Sequence, residues 1–295
     1  MRLAIPLPGN EGFADALAAS GDVELGGLEA RRFPDGESYI RLDCDVEGRD
    51  VDFVCTLADP DPGFLRLIFA ADAARDLGAR SVNLIAPYLA YMRQDKRFRP
   101  GGAVSSFSFA RLLSSSFDHL VTVDPHLHRH KSLDALYTLS SMTLHAAPLL
   151  AEWVGREIPA PLLIGPDAES EQWVSESARA INAPYAVLSK TRLGDRRVEI
   201  TVPELSAWAG RQPVLIDDIA SSGRTLIEAA RQLCAAGFAP PVCAVVHALF
   251  AGDAYATLGE VSADIISTDS VPHPTNRVTL APLIARALAD LGAAR

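Results

Sequence analysis

Short apolar runs recur along the chain, separated by longer stretches in which apolar residues return every three or four positions. Val82-Asn83-Leu84-Ile85-Ala86 reads as a buried strand, as do the runs from Leu120 to Val123, Pro161 to Ile164, Pro213 to Ile216 and Val242 to Ala248. Helical spacing runs from Phe64 to Leu77, Ser105 to Ser115, Glu169 to Ile181, Thr225 to Ala236 and Ala281 to Leu291. Strands alternating with helices predict an α/β protein with mainly parallel sheets flanked by helices.

Glu157-Ile158-Pro159-Ala160-Pro161 is a weak boundary signal. Polar segments end apolar runs on both sides of it: Val123-Asp124-Pro125-His126 before, Gly165-Pro166-Asp167 and Asp217-Asp218 after. Ligands of open α/β sheets bind beyond the carboxyl ends of the strands. Two similar α/β halves with a site between them fit this spacing.

Composition narrows the class. The 295 residues are 48% hydrophobic and 22% charged, ordinary for a globular chain able to bury a sizeable core. A formal net charge of −10 disfavours a nucleic-acid or membrane-surface binder. No apolar run is long enough for a membrane span, and Met1 to Asn10 lacks the apolar stretch of a signal peptide, so a cytoplasmic protein is expected. Cys44, Cys55, Cys234 and Cys243 form no CxxC pair and sit beside apolar residues, which predicts buried free thiols.

The richest segment is Val214-Leu215-Ile216-Asp217-Asp218-Ile219-Ala220-Ser221-Ser222-Gly223-Arg224-Thr225-Leu226. An apolar strand ends in two carboxylates, followed by a small hydroxyl-rich loop and a helix. Backbone N–H groups at a helix N-terminus suit a phosphate, and Gly223 permits close approach. Ser221, Ser222 and Thr225 add hydroxyls, while Asp217 and Asp218 can accept from sugar hydroxyls or hold a hydrated Mg²⁺. A capped helix after a buried strand is the plainer alternative, yet paired carboxylates at a strand end gain nothing structurally.

Two basic islands stand out in this acidic chain: Arg93, Lys96, Arg97 and Arg99, and the run Lys190-Thr191-Arg192-Leu193-Gly194-Asp195-Arg196-Arg197. Each reads either as a solvated face or as local charge for a polyanionic substrate. Arg32-Phe33-Pro34-Asp35-Gly36-Glu37 is a good turn sequence. Its Phe33 can also stack on a purine whose exocyclic amine Asp35 and Glu37 can accept. His126, His128 and His130 alternate; on a strand they would share a face and could bind a transition metal, so a zinc hydrolase is a formal rival.

The Asp217–Thr225 segment resembles the phosphoribosyl-diphosphate (PRPP) motif of the phosphoribosyltransferase fold. The Phe33 loop and Tyr91-Met92-Arg93-Gln94-Asp95 resemble the nucleotide-binding segments of ribose-phosphate diphosphokinases, the PRPP synthetases. Pro166-Asp167-Ala168, Lys190-Thr191-Arg192 and Thr268-Asp269-Ser270-Val271-Pro272 fall in the order of that family, so the resemblance covers nearly the whole chain.

The resemblance implies two phosphoribosyltransferase-like domains, residues 1–146 joined by the last helix 281–295, and residues 147–280. It implies transfer of the β,γ-diphosphoryl group of ATP to the anomeric hydroxyl of ribose 5-phosphate, giving PRPP and AMP. Lys190 and Arg192, on a mobile lid, would stabilise the transferring group. Phe33, Asp35, Glu37, Arg93, Gln94 and His126 would bind nucleotide. Asp217, Asp218, Ser221, Ser222, Gly223, Arg224 and Thr225 would bind ribose 5-phosphate, and His126 and Asp167 would flank Mg²⁺. A homo-oligomer built from dimers is implied, because the Phe33 loop of these enzymes reaches a neighbouring subunit's nucleotide.

The sequence departs from the bacterial and eukaryotic pattern at Glu169-Ser170, where Gly-Gly is usual, and at Ser221-Ser222, where Asp-Thr is common. A glutamate near a pyrophosphate path is repulsive unless it points away or meets a metal. Two alternatives follow: a non-catalytic subunit of a synthetase assembly, or a PRPP-consuming phosphoribosyltransferase. The second leaves the Phe33 loop and the Arg93–Asp95 segment unexplained.

Overall fold

Apolar runs bounded by turns become the inner strands of two sheets. The computed structural model describes residues 2–127, 129–192, 198–203 and 205–293; within these, the side chains of Glu169, Gln172, residues 190–192, residues 198–201 and Ala293 are left aside. The chain forms two compact units, Met1–Leu144 with Leu280–Arg295, and His145–Thr279.

The first unit runs β1 (Arg2–Pro6), α1 (Glu11–Ser20), β2 (Val23–Leu25), β3 (Leu28–Arg32), β4 (Ser38–Leu42), β5 (Asp50–Val54), α2 (Pro60–Asp76), β6 (Ser81–Ala86), α3 (Ser105–Ser116), β7 (His119–Val123) and β8 (Ser140–Leu144). Six strands pair in parallel in the order β2-β1-β5-β6-β7-β8, and β3 and β4 form a separate antiparallel hairpin. Every residue of β5 and β6 is buried, whereas edge strands β2 and β8 are largely accessible.

The second unit runs α4 (Ala147–Glu157), β9 (Pro161–Gly165), α5 (Glu171–Ala180), β10 (Tyr185–Val187), β11 (Ser189–Arg192), β12 (Val198–Thr201), β13 (Gln212–Ala220), α6 (Arg224–Ala235), β14 (Val242–Ala248), α7 (Ala254–Gly259), β15 (Asp264–Thr268) and β16 (Asn276–Val278). Its six parallel strands follow the order β10-β9-β13-β14-β15-β16, with β11 and β12 as an antiparallel hairpin. Leu162, Ile164, Leu215, Val245, Leu226 and Leu233 join the core between sheet and helices. The final helix, α8 (Ala281–Ala293), packs against α1 of the first unit.

The units share one plan: two neighbouring strands, an inserted hairpin, then four strands stacked outward on the other side of the first. In each sheet the order reverses beside the first strand, between β1 and β5 and between β9 and β13. These are the positions where an open α/β sheet offers a crevice.

Several expectations are corrected. The strand read as ending at Ile216 continues through both acids to Ala220, because Asp217, Ile219 and Ala220 pair with Val245, His247 and Ala248 of β14. The helix expected from Glu169 starts at Glu171, after a 3₁₀ turn over Ala168–Ser170. Cys55 and Cys243 are buried, with burial pushing the Cys55 thiol up to about 12, but Cys44 is half-buried and Cys234 lies exposed on α6.

Candidate functional site

In the second unit, Asp167 follows β9, and Asp217 and Asp218 lie near the end of β13, the two strands that flank the order reversal. Asp217 feels the charge of both other carboxylates. Burial pushes Asp217 well above the ordinary carboxylate range, and the charges of Asp218 and Asp167 push it further. The Asp218 N–H donates to Asp217 Oδ1 at 3.0 Å, an opposing pull that burial outweighs.

The loop after β13 turns at Gly223, whose φ of 65° lies in the left-handed region that glycine enters without strain. Gly223 is the N-cap of α6, and no side chain caps this end among the described residues. The first helical hydrogen bond runs from Ile227 N to Gly223 O at 2.8 Å, and the start of α6 carries the positive end of the helix dipole, which suits an anion. Ser222 and Arg224 are exposed at the loop, Ser221 and Thr225 half-buried. Ser222 and Arg224 also line a cavity of about 310 Å³ with Arg231 and Thr257.

The departure at 169–170 has a local account at Ser170. This side chain is buried, and its Oγ donates back to Asp167 O at 2.6 Å. Ser170 therefore ties down the turn that carries Asp167. The side chain of Glu169 lies outside the described residues.

In the first unit, Arg93 and Gln94 line a cleft of about 490 Å³ with Leu57, Asp59, Asp61, Tyr88 and Tyr91. The cleft sits at the carboxyl ends of β5 and β6. Tyr91 holds φ at 62°, and its hydroxyl donates to Asp61, which together with burial raises the Tyr91 pKa. Gln94 Oε1 accepts from Ser105 Oγ at 2.6 Å, and the Gln94 carbonyl accepts from Ser106 N at the start of α3. Asp95 pairs with Arg129 at 3.4 Å. Sequence reasoning missed Asp59 and Asp61, although Asp59-Pro60-Asp61-Pro62 is a readable helix-start signal.

The Phe33 loop is the tip of the β3–β4 hairpin. Phe33 N donates to Glu37 O at 2.7 Å, Gly36 turns with φ 96°, and Arg32 Nε donates to Gly36 O at 2.8 Å. Asp35 Oδ1 accepts from Glu37 N at 3.1 Å. The Phe33 ring is partly exposed; Arg31 lies over it at 4.7 Å and Tyr39 meets it edge-on at 6.1 Å.

His126 is half-buried just past β7, after Asp124 with φ 36°. The strand ends at Val123, so the shared strand face required by the zinc rival does not form at His126 or His130. His128 lies outside the described residues. Among the described residues no three His, Cys, Asp or Glu side chains converge as a metal cage. A hydrated Mg²⁺ needs only one or two carboxylates plus substrate oxygens, and the crowded acids beside Asp167 fit that demand.

Lys190 and Arg192 lie on β11, opposite Ile200 and Val198 of β12. Their side chains, and residues 193–197 of the basic run, lie outside what is described.

A parallel sheet with paired acids and a serine-glycine loop at its order reversal defines a phosphoribosyltransferase-type domain, and the family described as phosphoribosyl transferase domain matches residues 132–281. The N-terminal domain of ribose phosphate pyrophosphokinase matches residues 5–116. The chain belongs to the ribose-phosphate pyrophosphokinase family. A ribose-phosphate pyrophosphokinase of Methanopyrus kandleri is 37% identical over 279 residues, 93% of this chain and 94% of the relative. Ribose-phosphate pyrophosphokinase 2 of Archaeoglobus fulgidus is 36% identical, over 95% of this chain and 98% of its own length. The fold matches the crystal structure of phosphoribosylpyrophosphate synthetase from Mycobacterium smegmatis with a TM-score of 0.86 over 100% of this chain and 99% of that one, at 23% identity.

Proposed function

We propose that the protein transfers the β,γ-diphosphoryl group of ATP to the anomeric hydroxyl of ribose 5-phosphate, forming PRPP and AMP. The observation that carries this reading is the crowded acid set and phosphate-ready helix start at the order reversal of the second sheet. In this reading, residues 221–225 hold the 5-phosphate and Asp217 and Asp218 accept from the ribose hydroxyls. Phe33 stacks on the purine, Asp35 and Glu37 accept from its amine, and Arg93, Gln94 and His126 hold the nucleotide.

The anomeric hydroxyl oxygen attacks the β-phosphorus and gives up its proton to solvent, the bond from that phosphorus to the α,β-bridging oxygen breaks, and AMP leaves. Phosphoryl-type transfer rests on positioning and charge stabilisation, which the cations of Lys190 and Arg192 supply. His126 and Asp167 would hold Mg²⁺, which when bound offsets the negative charge of the phosphates. Exposed Leu65 and Phe69 on α2 and Phe107 and Leu112 on α3 support a homo-oligomer built from dimers. No helix among the described residues is long and apolar enough to cross a membrane.

The test is AMP release by the purified protein with ATP, Mg²⁺ and ribose 5-phosphate, each omitted in turn. AMP and PRPP are expected only in the complete mixture. Their absence with folded protein, or PRPP consumption in the presence of a base without ATP, would overturn the reading.

A further inference from the structure

Three rings stand beside the 220–225 loop. Phe250 follows β14, Tyr255 lies in α7, and His273 precedes β16. The ring centroids of Phe250 and His273 are 5.0 Å apart, those of Phe250 and Tyr255 5.5 Å, and those of Tyr255 and His273 4.8 Å. Phe250 couples this cluster to the loop. Its N–H donates to Ala220 O at 2.9 Å, Leu249 N donates to the same carbonyl at 3.0 Å, and Ala251 N donates to Ser221 O at 3.0 Å.

In a trans peptide the next N–H points opposite to the carbonyl. Holding the Ala220 and Ser221 carbonyls therefore aims the N–H groups of Ser221 and Ser222 away from residues 249–251. Phe250 does this with φ at 36°, a left-handed conformation that persists in a bulky residue only where its surroundings impose it. The flanking rings are such surroundings. On the other side, a Cβ added at Gly223 would lie 3.4 Å from Ala254 Cβ, so the loop also seats closely on the start of α7.

The orientation of His273 is fixed by a hydrogen-bond chain. Asn276 Oδ1 accepts from His273 N at 2.9 Å, and Asn276 Nδ2 donates to Thr268 O at 2.6 Å and to Ser267 Oγ at 2.9 Å. The two backbone partners settle which way the amide faces. Ser267 Oγ lies 2.8 Å from Thr275 Oγ1, and Thr275 Oγ1 lies 2.8 Å from His273 Nδ1, within hydrogen-bond distance in each case. Thr275 N also donates to Nδ1, at 3.3 Å. That bond makes Nδ1 an acceptor, which places the ring proton on Nε2, and burial lowers the His273 pKa in the same sense. Ser267 and Thr275 are buried, so the chain is anchored inside the sheet edge.

We infer that His273 is a positioning residue for the sugar-phosphate loop: held by Thr275, it clamps Phe250, whose backbone aims the loop's amides at the phosphate. This rests on reading residues 221–225 as the seat of a sugar 5-phosphate. Two measurements on the full-length protein separate the two ideas. Amide hydrogen exchange at residues 221–223 reads the clamp with no ligand present; His273→Ala is expected to speed it by about tenfold, with helices α4 and α5 unchanged. Steady-state kinetics reads the consequence; His273→Ala is expected to raise KM for ribose 5-phosphate by about tenfold, while kcat and KM for ATP stay within about twofold.

His273→Phe keeps the ring contact and is expected to restore most of the affinity. Thr275→Val cuts the chain but leaves the ring, and is expected to give a smaller rise of the same kind; it carries the test if His273→Ala fails to fold. Unchanged exchange at 221–223, or equal weakening of both substrates, would overturn the inference. Failure of the wild-type protein to bind ribose 5-phosphate would overturn the ligand reading instead, leaving the exchange result to decide the clamp.

Discussion

Gly165 closes β9 where a side chain has no room, because an added Cβ would lie 2.2 Å from Ser170 Oγ. Ser170 cannot simply swing away: its Oγ and its N–H both donate to Asp167 O, at 2.6 and 3.2 Å. The two residues are therefore coupled through the turn that presents Asp167. Gly165→Ala is expected to destabilise by about 1–3 kcal/mol through overpacking. Adding Ser170→Gly should remove the clash; Ser170 makes no cap bond to α5, so what the change gives up is its bond to Asp167 O, worth about 1 kcal/mol. Urea unfolding of both singles and the double gives the coupling; the double should be more stable than Gly165→Ala alone. Strict additivity would mean that the clash relaxes by another route.

The two inserted hairpins occupy the same place in the plan of their units, and each carries residues assigned to chemistry beyond the sheet. β3–β4 presents Phe33, Asp35 and Glu37; β11–β12 carries Lys190 and Arg192. A cation on a hairpin outside the main sheet can reach a transferring phosphate without disturbing the core. Lys190→Ala is thus expected to cut kcat by about a hundredfold or more, roughly 3 kcal/mol of transition-state stabilisation, with an unchanged Tm. Near-wild-type turnover would remove Lys190 from its role. Inner strands such as β6 and β14 were legible because burial on both faces demands continuous apolar runs. β5 was missed for a definite reason: Asp50-Val51-Asp52-Phe53-Val54 carries two acids. Asp52 is tolerated in the interior because Arg2 and Asn83 donate to it, and Asp50 accepts from Arg80 and Ser81. Partners fifty and thirty-one residues away leave no periodic trace. The β3–β4 hairpin escaped too, since its mixed, half-exposed residues read as loop around a turn sequence.

Across the whole molecule, the duplicated plan explains why the motifs were readable and the clamp behind them was not. Asp217 to Thr225 is contiguous because one strand–loop–helix turn carries both acids and the residues proposed to hold the sugar phosphate. Phe250 and Tyr255 are neighbours at the start of α7, but His273 comes from the loop before β16, and the fold brings it to them. The crowded acids have a cost that the rest of the fold must carry. With Asp217 half-buried beside Asp218 and Asp167, keeping all three ionised works against folding. Asp217→Asn keeps an acceptor for Asp218 N and removes one charge. The ligand-free variant is therefore expected to melt a few degrees above wild type, at neutral pH, while losing turnover. Adding Mg²⁺ with ribose 5-phosphate should raise the wild-type Tm and move the variant less, because binding to the native state stabilises by mass action. Scanning calorimetry of both proteins with and without these ligands decides it. A variant that melts below wild type without ligand would show that Asp217 is stabilised by its neighbours rather than crowded by them.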